Sequence, residues 1–188
     1  MKKIIILLTI IALSLCTACS NSEKSENTAS VTVDWNTNKV YQWQDYSQGE
    51  KFPVGEDFEI QLRLADFPDT VFIWRELSIS SQKNGEERVL VNGMPIMNAF
   101  FTDLNSDGFP ELCSSVYFGS GICDEHIVVY DYHNEMTYTL WDRMKFNYSL
   151  YLKNDELYVR ELPYLKGENT EENIGKLLIE NNELVIKQ

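Results

Sequence analysis

Histidine is nearly absent from this chain. Only His126 and His133 occur, and no H-E-x-x-H sets two of them one helical turn apart, which excludes a zinc-peptidase pair on a helix. Basic side chains are scarce as well: 16 Lys and Arg stand against 29 Asp and Glu, a formal charge of −13. So acidic a chain repels nucleic acid and anionic lipid. No nucleic-acid partner is therefore expected, and membrane attachment has to come from something other than surface charge. The acidity suits surroundings rich in divalent cations, although solubility accounts for most of it. Helical periodicity is missing, since no stretch repeats apolar residues at 3.6-residue spacing over three turns. No G-x-S-x-G marks a nucleophile elbow, and Ser120 in GSG reads as a hairpin turn.

The one long apolar run is at the N-terminus. Lys2 and Lys3 precede IIILLTIIALSL, which is too short for a comfortable membrane span, and Cys16-Thr17-Ala18 leads into Cys19. This arrangement resembles a bacterial lipoprotein signal, with Cys16 standing where leucine is usual. The resemblance implies that residues 1–18 are a signal peptide and that Cys19 becomes the lipidated N-terminus, on the extracytoplasmic face of the cell membrane. An uncleaved anchor helix is the alternative, and either reading exports the rest. Residues 19–30, CSNSEKSENTAS, are small, polar and without periodicity; they cannot bury enough apolar surface to order themselves and read as a tether. Residues 31–188 then form one domain of ordinary size.

Beyond the signal region only Cys113 and Cys123 remain. An exported protein permits a disulfide between them. A hairpin centred on Gly119-Ser120-Gly121 would not set them directly opposite, so the bridge stays open.

Strand signals fill 31–188. Phe58, Ile60, Leu62 and Leu64 alternate with polar residues, and VFIWRELSIS, RVLV, MNAFF, ELCSSVYF, IVVYDY, FNYSLYL, ELYVREL and KLLIENNELVIKQ follow. Between them QKNGEE, Asn92-Gly93, KND and Asn181-Asn182 read as turns. ELPYLKGENTEENIG is the longest expected loop. The expected fold is all-β and mainly antiparallel, a sandwich or a strongly twisted meander.

Chemistry concentrates in FFTDLNSDGFPEL. Asp103, Asn105 and Asp107 occupy alternate positions of a loop whose sixth residue is Gly108. Calcium takes six to eight oxygens, and such a loop wraps it with alternate side chains, glycine serving where the chain turns sharply. The Phe109 carbonyl and the Glu111 carboxylate would add ligands. Ser114 stands where an EF-hand needs its bidentate acid, and no helices flank the loop, so it is not an EF-hand. It resembles the strand–loop–strand calcium motif D-x-[DN]-x-D-G-x-x-[DE]-[LIV] of integrin-type FG-GAP repeats. That likeness implies Asp103, Asn105, Asp107 and Glu111 as side-chain ligands and Leu112 as the apolar anchor of the exit strand. The alternative is a metal-free loop held by Asx-turns. Outside the membrane an affinity of only about 10⁻⁴–10⁻³ M would keep the site filled, making it structural. The motif occurs once and no blade-length repeat is visible, which excludes a full propeller.

From about Phe67 to Leu162 the likeness widens. FPDTVFIW, VNGMPIMNAFFTDLNSDGFPELC, VYFGSGICDEHIVVYDY and YTLWDRM resemble an extracytoplasmic domain of clostridial-type Firmicutes, appended to membrane metallopeptidase sensors of the β-lactam-antirepressor kind and found also as stand-alone lipoproteins. The resemblance implies an accessory or sensory module at the envelope, without catalysis, whose partner is an unknown envelope protein or glycan. Tyr41, Trp43 and Tyr46 could stack on sugar rings, but core packing explains Tyr41 and Trp43 equally well; Trp74 and Trp141 read as core. Cys123 and His126, three apart on a strand, point to opposite faces and make no catalytic pair. The rival class is a wall or glycan hydrolase using an acidic pair, which a deep pocket holding two carboxylates would favour.

Overall fold

In a computed structural model the described residues are 30–33, 35, 39–47, 49, 58–119, 124–143, 145–164 and 173–188. The signal peptide, Cys19 and nearly all of the expected tether lie outside them. Among the described residues no helix is long and apolar enough to cross a membrane.

The chain is all-β and almost wholly antiparallel, built as three stacked sheets. The first sheet has the order β1 (Ser30–Val31), β3 (Glu59–Leu64), β4 (Thr70–Arg75), β5 (Ser78–Lys83), β6 (Glu86–Asn92), and only its β1–β3 pair is parallel. The central sheet runs β10 (Met136–Leu140), β9 (Asp124–Asp131), β8 (Glu111–Phe118), β7 (Asn98–Thr102), β2 (Tyr41–Asp45). The third is a meander of β11 (Phe146–Lys153), β12 (Glu156–Pro163), β13 (Asn173–Glu180) and β14 (Glu183–Lys187).

Turn chemistry sets the hairpins. Asn84-Gly85, Asn154-Asp155 and Asn181-Asn182 each take positive φ at both positions, the backbone that two-residue hairpins need and that Asn, Asp and Gly adopt most readily. The pairs that close them are Lys83↔Glu86, Lys153↔Glu156 and Glu180↔Glu183. Asn92-Gly93 is different. There β6 ends and the chain crosses to the central sheet, where a Cβ on Gly93 would lie 2.9 Å from Ile96 Cγ1 and 3.0 Å from Val116 Cβ. The expected long loop is shorter than the sequence suggests, because β12 extends to Pro163 and β13 begins at Asn173.

Two cores result, one on each face of the central sheet. Side chains alternate across a strand, so β7 sends Ala99 and Phe101 to one side and Phe100 to the other. Ala99, Phe101, Leu112, Val116 and Tyr130 meet Leu62, Phe72, Trp74 and Ile79 of the first sheet. Phe100, Cys113, Ile127 and Val129 meet Leu150, Leu157, Val159 and Leu177 of the third. All five residues of β7 are buried for this reason. Trp43 and Tyr46 settle as core, their rings edge-on to Trp74 at 5.7 and 5.8 Å, and Tyr41 packs on the same cluster. Trp141 departs from its expected place: it is 41% exposed, its indole stacked on His126 and its N–H donating to Asp124 Oδ2 at 2.8 Å. Cys113 is a free, buried thiol, pushed up by burial and by the Glu111 charge. Its neighbours across the ladders are Phe100 and Val129; Cys123 lies outside the described residues.

Candidate functional site

The DLNSDG loop joins β7 to β8 at one end of the central sheet. Asp103 organises it: Oδ1 accepts from Ser106 N (2.7 Å) and Asp107 N (3.2 Å), and Oδ2 from Gly108 N (2.9 Å). Asn105 Oδ1 accepts from Asp107 N at 2.8 Å, and Asp107 Oδ1 from Phe109 N at 2.9 Å. Ser106 and Gly108 take φ of 65° and 89°, so glycine stands where the expected sharp turn occurs. These bonds are Asx-turns; Asp103 Oδ1 accepts two of them, whereas Asp103 Oδ2 and Asp107 Oδ1 accept one each and keep a second lone pair for a cation.

The loop folds Asp103, Asp107 and Glu111 together, one carboxylate oxygen of each lying within 4.8 Å of the others. Glu111 is 1% exposed and accepts from Leu104 N at 2.6 Å. Burial, reinforced by the charges of Asp131, Asp103 and Asp107, pushes its carboxyl up to about 8 against the pull of the Leu104 amide. Asn105 and Phe109 hold their places beside this trio. The Asn105 amide donates to Asp107 Oδ2 at 3.2 Å, and the Phe109 ring stacks on His133 with centroids 3.9 Å apart.

Two further residues complete the cluster. Register sets Asp131, the last residue of β9, opposite Glu111. Asn134 donates both its N–H and its side-chain amide to Asp131 (2.8 Å each) and its amide also to Asp107 Oδ2 at 3.1 Å. Asp131 is 2% exposed. Among the described residues, no lysine, arginine or histidine pairs with any of the four carboxylates within 4 Å. The sequence held no signal for Asp131, because the pairing depends on the β8–β9 register.

A cleft of about 620 Å³ lies elsewhere on the central sheet, where edge strand β11 rests on it. Gln42, Asp45, Tyr117 and Glu125 line its central-sheet side, and Tyr151 and Arg160 line the third-sheet side. A bulge between Gln42 and Gln44 puts Gln42 opposite Phe100 and Asp45 opposite Asn98, so both side chains fall on the face that Phe100 and Asn98 share. Tyr117 and Glu125 are cross-strand partners on the same face as Cys113 and Val129. Burial pushes the Glu125 carboxyl up to about 7, against the Tyr117 hydrogen bond and the Arg160 charge. The Arg160 guanidinium lies over the Tyr151 ring, 5.2 Å from its centroid.

Comparison with known proteins finds no match to this chain, whether by family model, curated sequence or solved structure.

Proposed function

We propose that this is a lipid-anchored, extracytoplasmic binding or sensory module, non-catalytic, clamped by one structural calcium ion. Asp103, Asn105, Asp107, the Phe109 carbonyl and Glu111 would hold the ion. One observation carries the metal: Glu111 and Asp131 are buried next to Asp103 and Asp107, and among the described residues no cationic side chain pairs with any of the four. A buried carboxylate without a partner is costly. Here a proton or a cation has to neutralise it, and an oxygen-only donor set suits calcium. A bound ion would supply the missing charge and tie the β7–β8 loop to the β9–β10 turn. The anchor and the outward location rest on the N-terminal sequence, and the sensory role on the resemblance to sensor-appended domains.

Calorimetric titration of calcium into the chelator-treated full chain, beside Asp107→Ala, tests the clamp. Binding near 10⁻⁴–10⁻³ M is expected in the unsubstituted chain, with about 1.4 kcal/mol of added stability at tenfold excess over Kd. Both effects should vanish in Asp107→Ala. No heat and no change in melting temperature in either protein overturns it.

A glycan hydrolase is the second reading, favoured by the presence of Asp45 and Glu125 in one cleft. Two carboxyl groups facing one cleft are the arrangement that glycoside hydrolysis uses. Release of reducing ends from oligosaccharides, abolished by Glu125→Gln, would replace the non-catalytic reading with this one.

A further inference from the structure

We propose that the cleft between the central and third sheets binds a neutral oligosaccharide, recognised by Asp45, Tyr117, Glu125, Tyr151 and Arg160. This deepens the reading of the chain as a binding module and names its ligand class, but it does not depend on calcium.

The fold does not require these side chains. Along β8 and β9 one face of the central sheet carries Cys113, Ile127 and Val129, all fully buried against the third sheet. Farther along the same two strands the face changes to Tyr117 and Glu125, and the third sheet no longer covers it. Polar groups collected beside this apolar patch, where no strand covers them, cost stability and suit a ligand. The cavity volume falls within the roughly 300–1,000 Å³ of ligand sites.

The mix of charges selects the ligand. Asp45 and Glu125 oppose an anion, and Arg160 opposes a cation. A sugar edge fits both signs, because each hydroxyl donates one hydrogen bond and accepts others. Glu125 beside Arg160 offers an acceptor next to a fork of donors, and the Gln42 amide offers both. Met97, Leu152 and Leu162 also line the cleft and, with the Tyr151 ring, suit the C–H face of a pyranose.

The walls are set before any ligand arrives. Asp45 Oδ1 accepts from Ser47 N at 2.9 Å and Ser47 Oγ at 2.5 Å. Strand β11 is pinned to the central sheet at Leu150, whose N–H donates to Ser115 Oγ (2.7 Å) and whose carbonyl accepts from Asn98 Nδ2 (3.2 Å). Preorganised walls lose little entropy on binding.

The test is calorimetry on the full chain in detergent, with cellotetraose, maltotetraose, chitotetraose and, as a zwitterionic comparator, tetra-alanine with free termini. At least one sugar should bind, and Glu125→Gln and Arg160→Met should each weaken it about tenfold or more, the scale of losing a charge-assisted hydrogen bond. The exposed Lys187→Ala should change nothing. Glu125→Gln removes a half-buried carboxyl, keeps its shape and is expected to fold, so its lost affinity cannot be put down to unfolding. The proposal is overturned if no sugar binds, if tetra-alanine alone binds, or if both cleft variants bind sugar as the unsubstituted chain does. Calcium titrated into the same samples reads the clamp separately, so either reading can fail alone.

Discussion

Replacing Glu125 by glutamine should stabilise this protein at alkaline pH and leave it unchanged in acid. Glu125 lies across from Tyr117 on β9, and burial outweighs the Tyr117 hydrogen bond and the Arg160 charge to push its carboxyl up to about 7. In the unfolded chain the same group titrates near about 4.3. The folded state therefore holds its proton more tightly, and stability falls as pH rises from the unfolded value through the folded one. Below about pH 4 both states are protonated and nothing is lost. Above about pH 8 the whole cost is present: the gap from about 4.3 to about 7, at about 1.4 kcal/mol per pH unit, comes to about 4 kcal/mol. Solvent at the cleft mouth screens part of this, which brings the expected gain to about 2 kcal/mol.

Glutamine imitates the protonated acid in shape and cannot ionise. Urea unfolding of both proteins at pH 4, 6 and 8 should show midpoints that coincide at pH 4 and separate steadily upward, with slopes unchanged. A variant less stable at pH 8 would refute the reasoning. Glu125 would then be a net-favourable partner of Arg160, an ordinary ion pair of the fold, and the case that this acid is kept for a ligand would weaken with it. A separation equal at all three pH values would also refute it, since the effect would then come from shape and not from charge.

Two substitutions probe how strands fit together, one inside the third sheet and one between it and the central sheet. Gly175→Ala should cost more than about 2 kcal/mol in urea melts, because its Cβ would collide with Ile186 Cγ2 and lie 2.7 Å from the Lys187 carbonyl oxygen on β14. Asn98→Ala should cost about 2–4 kcal/mol, since it strands the Ser115 N–H (2.7 Å to Asn98 Oδ1) and the Leu150 carbonyl (3.2 Å) in a buried seam. Faster amide hydrogen exchange at Ser115 and Leu150 than at the remote Trp74 would locate the damage.

Local features were legible where one strand or one turn carries them. Period-2 alternation marked β3, and Asn84-Gly85, Asn154-Asp155 and Asn181-Asn182 marked their hairpins, because the φ they require favours those residues. DLNSDG marked its loop, and Asp103, Asp107 and Glu111 do converge there. The three-layer stacking was not legible. A strand buried on both faces loses its alternation, so NAFFT and ELCSSV announce burial without saying against what. Asp131 and the cleft were hidden for another reason. Their side chains come from strands far apart in the chain, brought together by the β8–β9 register and the bulge in β2. Trp141 misled because its apolar sequence neighbours are not its spatial ones.

The two candidate sites occupy opposite ends of the same two strands, and this assigns them different tasks. At one end Glu111 faces Asp131 beside the acidic loop; at the other Tyr117 faces Glu125 in the cleft. Six residue steps along β8 separate Glu111 from Tyr117, about 20 Å at the rise of an extended strand. An ion held by Glu111 therefore cannot touch a ligand at Glu125, polarise its bonds or orient its hydroxyls. What it can do is hold the far ends of β8 and β9 in register, through the loop that enters β8 and the turn that leaves β9. That register sets Tyr117 across from Glu125, and a slip of one residue would turn the side chain on the slipped strand to the opposite face. An ion in the acidic loop would thus serve the cleft by fixing the alignment of the strands that build it, which would be the work of a clamp and would need no direct contact with a ligand there.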